Sequence, residues 1–193
     1  MKNPYWSSQG QTHPISIDQI RGLCFDVVNI VAASGELAGD SADIEPDEGV
    51  PSESRIFQLH HELAERELCE KLLRLAVLVR TFDDIASTSA KADEYREHAN
   101  QTSGQNEIGF LRVDGSVADF NLREACNKII HAQEIRAVYD DAVRFSGDEL
   151  VSRRWYCDGE VELKGTQNKK FWEASVYIFD FIETVLERID FEL

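Results

Sequence analysis

Residues 122–132, LREACNKIIHA, carry an arginine, an asparagine and a histidine at four-residue spacing. At about 100° per residue that spacing lines Arg123, Asn127 and His131 along one side of a helix, within an arc of about 80°. Leu122, Ala125, Cys126, Ile129 and Ile130 fall on the other side, which makes the segment amphipathic. Such a polar stripe holds what RNA cleavage without a metal needs. An imidazole moves the 2′-hydroxyl proton, a guanidinium holds the phosphate, and an amide orients either one. The same three residues also suit a plain solvated helix face.

Two further groups have chemical spacing. Lys128 adds a cation beside Asn127, and Arg80, in VLVRTFDD, is followed by Asp83 and Asp84. Arg80 either caps its own helix or, if its helix packs antiparallel to the His131 helix, approaches that helix in space. We therefore assign His131, Asn127 and Arg123 as candidate catalytic residues, with Arg80 and Lys128 as candidate substrate-binding groups. Upstream, HHELAERE places His60 and His61 before Glu62 and Glu65, but it lacks the second histidine of a helical zinc motif. The pairs Glu62/Glu65 and Glu67/Glu70 would suit a magnesium-dependent nucleotide pyrophosphatase if a second helix added carboxylates, for which Asp83, Asp84, Asp180 and Glu183 are available. Arg66, Lys71 and Arg74 lie within a turn of these acids, so a salt-bridged solvent face explains them equally well. No metal and no cofactor is assigned.

The elements that position these groups read as helices. Ser16 and Gln19 make a capping box before Ile17, Ile20, Cys24, Val27, Val28 and Val31, a series that ends at Ser34-Gly35. A second, longer helix is expected from about Ser54 to Phe82 on Ile56, Leu59, Leu63, Leu72, Leu73, Ala76 and Val79. The polar stretch 85–105 allows a short exposed helix near residues 93–99 and no core element. A third helix is expected from about Val117 to Ile130, capped by Ser116 or Asp119. Strands at 154–157 and 160–164 flank Asp158-Gly159 as a hairpin, with Ile135–Tyr139 as a further strand. Asn168 then caps a last helix through Trp172, Ser175, Ile178, Phe179, Ile182, Val185, Leu186 and Ile189. The expected fold class is mainly α: a four-to-five-helix bundle with a small β-hairpin inserted before the last helix. Residues 1–15 form an N-terminal arm, 16–193 are a single bundle domain, and the Gly- and Pro-rich acidic stretch 35–51 is a loop.

Composition narrows the function classes. With 20 Lys and Arg against 36 Asp and Glu, the formal charge of −16 opposes wide tracking along nucleic acid and leaves room only for a short RNA at a locally cationic cleft. Cys24, Cys69, Cys126 and Cys157 are scattered without a CxxC pair and read as core thiols in a reducing compartment. No stretch has the length of a membrane span or the apolar core of a signal peptide, so the expected location is the cytoplasm, with no membrane partner.

The segment LREACNKIIHA, with Asn127 and His131 in register, resembles the signature helix of the HEPN superfamily. Those proteins are compact helical bundles, often dimeric, many of them ribonucleases of toxin and antiphage systems. The resemblance implies that Asn127 and His131 stand at the family's asparagine and histidine. Arg123 takes the same helix face in place of the family's arginine, which lies nearer the histidine, or Arg80 supplies it by packing. It also implies a metal-independent RNA-cleaving or RNA-binding subunit of a bacterial defence system, working as a homodimer or within a larger complex, with the stripe facing its own copy. The alternative, from another class, is a non-catalytic interaction or regulatory subunit whose acidic surface meets basic protein partners.

Overall fold

The computed structural model describes residues 15–38, 54–103, 106–146 and 149–192. Most of the expected arm and the acidic stretch 39–51 lie outside the described residues. The elements in chain order are α1 (Ile17–Ala38), α2 (Arg55–Thr88), α3 (Ala92–Thr102), β1 (Gly109–Val113), β2 (Ser116–Ala118), α4 (Leu122–His131), β3 (Glu134–Ser146), β4 (Glu149–Gln167), β5 (Lys170–Tyr177) and α5 (Ile178–Ile189).

The strands form one antiparallel sheet in the order β2-β1-β5-β4-β3. This corrects the mainly α reading: the fold is α+β, and what was expected to be one hairpin within a bundle is a five-stranded sheet. Two local signals account for the difference. Asn168 and Lys169 both take positive φ, 53° and 66°, so they form the tight turn between β4 and β5 and do not cap a helix. The chain from Lys170 therefore runs extended, and α5 begins only at Ile178. Asp158-Gly159 makes no hairpin turn either. It lies inside β4 as a bulge, where the pairing steps from Ala137↔Val161 to Tyr139↔Cys157. There Gly159 has φ 98°, and the Asp158 carboxylate accepts the Glu160 N–H at 2.8 Å.

Residues 109–118 also differ from expectation. They pair as a hairpin, and α4 starts later, at Leu122, where Asn121 accepts the Glu124 N–H at 3.0 Å. α3 exceeds its expected role as an exposed helix, because Tyr95 is buried in the core.

One face of the sheet is buried beneath the helices through Leu111, Val161, Leu163, Ala174 and Val176. The other carries a cross-strand row of alternating charge, Arg112, Glu173, Lys164 and Glu134, as expected for an antiparallel sheet with one wet face. α1 and α2 pack on each other, α1 lies across β4, and α4 packs against α2. The edge strand β3 meets α2 through Glu65, whose carboxylate accepts the Ala137 N–H at 3.3 Å. No helix among the described residues is long and apolar enough to cross a membrane.

Candidate functional site

The cap at Asn121 fixes where α4 starts and so which way each turn of it faces. Its three stripe residues meet three different surroundings. Arg123 turns toward the end of α2, where it reaches Asp84 at 2.9 Å and Asp83 at 3.8 Å. Asn127, one turn on, accepts a hydrogen bond from Arg80 Nε at 2.9 Å. Arg80 and Asn127 are thus brought together by the packing of α2 on α4, across 47 positions of sequence. Arg80 also holds Asp84 at 3.1 Å, so that carboxylate sits between two guanidinium groups. Partial burial alone would raise the Asp84 pKa; Arg123 and Arg80 outweigh it and hold the carboxyl below its ordinary value.

His131, in the last turn of α4, is exposed and opens onto a cleft of about 530 Å³ between α4 and the turn joining β4 to β5. Asn127 and Lys128 line the same cleft, with Glu124, Gln167, Asn168 and Trp172. Lys128 is 4% exposed. Its ammonium reaches Glu124 at 3.0 Å, donates to the Gln167 amide oxygen at 3.1 Å and lies 4.7 Å from the centre of the Trp172 ring. Burying a lone ammonium costs several kcal/mol, so these three partners explain how it is tolerated there. The Trp172 indole packs against Gly165: a Cβ at residue 165 would stand 2.4 Å from the ring. Glycine at that position is what leaves the cleft floor its shape.

Reading α4 as one stripe therefore places Arg123 correctly on the helix but not in the cleft, which takes His131, Asn127 and Lys128 while Arg80 braces Asn127 from behind. Gln167, Asn168 and Trp172 were not recognised as cleft residues from sequence. One signal was available for Lys128, which falls beside the apolar arc of α4 and so must be half covered by whatever packs there.

Behind Arg123 lies a second cluster of charge. Asp83, buried at the end of α2, accepts from Arg188 of α5 at 3.2 Å and from the Tyr95 hydroxyl. Arg188 also donates to Thr102 at 3.1 Å, Ser103 at 2.9 Å and the Ala99 carbonyl at 3.2 Å. Burial, and the carboxylate that accepts its hydrogen bond, push the Tyr95 phenol well above its ordinary value. Burial likewise pushes up the Cys126 thiol, and all four cysteines are free. The glutamates of α2 disperse: Glu65 turns to β3, Glu67 pairs with Arg66 at 3.2 Å, and Glu70 lies 3.9 Å from Arg74. Among the described residues no three His, Cys, Asp or Glu are placed to hold a metal ion.

Compared with known proteins, the chain matches no family model, no curated protein and no solved structure.

Proposed function

We propose that the cleft beside α4 is the site of a protein that binds short RNA and cleaves it through His131, as a subunit of a bacterial toxin or antiphage system that resembles the HEPN superfamily in its α4 helix and not in its overall fold. The observation that supports this reading is that α2 brings a guanidinium to an amide and an imidazole carried by α4: Arg80 fixes Asn127, and His131 stands one turn further at the cleft rim. The charge around it also favours a phosphate. Beside α4, Arg80, Arg123 and Lys128 face Asp84 and Glu124, three cations against two carboxylates in a chain of net charge −16. In the reaction, His131 takes the 2′-hydroxyl proton, the 2′ oxygen bonds to phosphorus, and the 5′ oxygen leaves with a proton from a second acid. The products are a 2′,3′-cyclic phosphate and a 5′-hydroxyl. The proposed assembly is a homodimer or a subunit of a larger complex.

The test is cleavage of an end-labelled RNA of about 20 nucleotides by the purified chain, with and without EDTA. Turnover that survives EDTA and disappears in His131→Ala is the expected result. Cleavage retained by His131→Ala, or abolished by EDTA, would remove the reading.

One observation favours a non-catalytic interaction subunit instead. Arg80 and Arg123 are both engaged by Asp84, so gripping a phosphate means giving up an existing ion pair. A wild type that neither binds nor cleaves the RNA is the outcome that selects this second reading.

A further inference from the structure

α2 has two apolar ridges, and only one faces the core. Leu68, Leu72, Leu75 and Val79 are fully buried, 1% exposed or less. On the opposite side Ile56 is 65% exposed, Leu59 57%, Leu73 43% and Val77 45%, with Leu63 half-buried between them. These five recur as 56, 59, 63, 73 and 77, the a and d positions of a heptad whose missing members, 66 and 70, are Arg66 and Glu70. Apolar residues scattered singly on a surface need no explanation, whereas a heptad stripe from Ile56 to Val77 of a 34-residue helix is the form of a helix–helix seam.

We infer that this ridge packs on the same ridge of a second copy of the chain, antiparallel, about a two-fold axis passing α2 at Leu68. The register follows from charge and apolar matching. Facing positions of an antiparallel pair pack a against d, and only two alignments keep most of the stripe in contact. Centred on Leu68, Leu59 meets Val77 of the partner subunit, Leu63 meets Leu73 of the partner subunit, and Arg66 meets Glu70 of the partner subunit. At each end Ile56 meets Arg80 of the partner subunit, one apolar residue set on charge per helix against two leucines in the other alignment. Each contact occurs twice by symmetry. Sliding one helix by a heptad sets Leu63 against an arginine and Leu59 against a glutamate, which desolvates charge on leucine. The middle of the ridge is also neutral, with Arg66 and Arg74 beside Glu67 and Glu70, so the repulsion between two acidic chains is weakest where they would touch.

This dimer stands independently of what α4 does, and it has a consequence for it. The two Arg80 residues lie 12 positions either side of the axis, ~36 Å apart along the helices at 1.5 Å per residue. The two α4 clefts therefore sit at opposite ends of the pair, each near the start of the partner's α2 and away from the partner's His131.

The experiment is sedimentation equilibrium of the full chain at physiological salt, with charge exchange at the centre of the seam. The wild type is expected at twice the 21.9 kDa of one chain. Arg66→Glu sets like charges across both central layers and should weaken association on the order of tenfold, as should Glu70→Arg. Both lie on the exposed face of α2, so far-UV circular dichroism should be unchanged. The two changes together restore the opposite pairing and should return association to within a few-fold of wild type. A wild type that stays monomeric at about 100 μM overturns the inference, since an interface of standard size associates more tightly than that. A dimer indifferent to Arg66→Glu, or one that the double change does not rescue, overturns the register and with it the inference.

Discussion

Two buried cations, Arg188 and Lys128, lie on either side of α4, and each is matched to a carboxylate, yet they end in opposite circumstances. Arg188 and Asp83 have side chains only 5% and 4% exposed, and every guanidinium nitrogen of Arg188 is engaged. Lys128 is as deeply buried, but its partner Glu124 is 34% exposed and the pair borders an open cleft. The Arg188 network fixes how α2, α3 and α5 meet; it lines a smaller hollow of about 230 Å³, but every guanidinium nitrogen facing that hollow already has a partner. A network of the same chemistry with one side open can exchange a partner for a ligand. The difference lies in satisfaction of donors and not in the presence of charge.

The strongest way to break the comparison is to remove the carboxylate of the closed network. Asp83→Ala leaves Arg188 buried beside a lost partner and should cost about 3–5 kcal/mol of stability in urea unfolding, while the cleft keeps its lining. A loss below 1 kcal/mol would mean that the network is not closed.

On the open side, Gly165→Ala drives a methyl into the Trp172 indole and should cost about 1–3 kcal/mol. It should also shift tryptophan fluorescence, because the ring under Lys128 has to move. An unchanged emission spectrum would separate the cleft floor from that glycine.

The third change, Tyr95→Phe, removes one hydroxyl from the closed network and should cost about 1 kcal/mol at pH 7. Its sharper signature is in alkali. The folded-state pKa of Tyr95 is raised, so its contribution is fully present below the unfolded value of about 10 and is lost as pH rises toward the folded one. Wild-type stability should therefore fall above pH 10 relative to Tyr95→Phe, in thermal melts taken at pH 8 to 11. Parallel curves would contradict the buried phenol.

Smallest of all is the expected effect of His131→Ala on stability, within about 0.5 kcal/mol, because the ring is exposed at the cleft rim. The variant that should abolish RNA turnover should thus leave the melting temperature where it is. A large loss would make His131 a packing residue.

The two sides of the comparison were not equally legible in the sequence. Helical spacing located α1, the start of α2 and the end of α4, but it began α4 at Val117, five residues early, and stopped α2 at Phe82, six residues short. The approach of Arg80 to Asn127 follows from packing two of those helices. The strands were hidden because their evidence is non-local: β1 finds its partner in β5, with Gly109 opposite Val176. Read locally, Asn168 looks like a helix cap and Trp172, Ser175 and Phe179 share one helical side, so an α-helix wins. Only the positive φ at Asn168 and Lys169, a property of the folded chain, turns those residues into a hairpin. α2 misled in the other direction. Ile56, Leu59 and Leu73 belong to the same helical series as Leu72 and Val79, and the series alone does not show that they stand on two opposite ridges. The closed network was missed altogether. Asp83, Tyr95 and Arg188 come from three helices, and no spacing links them.

The Glu65 contact on β3 reaches beyond the cleft and its neighbours. An edge strand of 13 residues offers a row of backbone groups to any passing strand, and such rows seed aggregation. β3 escapes that fate where it is flattest in sequence: a carboxylate lent by α2 occupies the Ala137 N–H, the pairing is irregular between Ala137 and Tyr139, and Asp140 and Asp141 follow at once. A glutamate that looks like one more surface charge on a long helix thus serves the solubility of a strand 72 residues away.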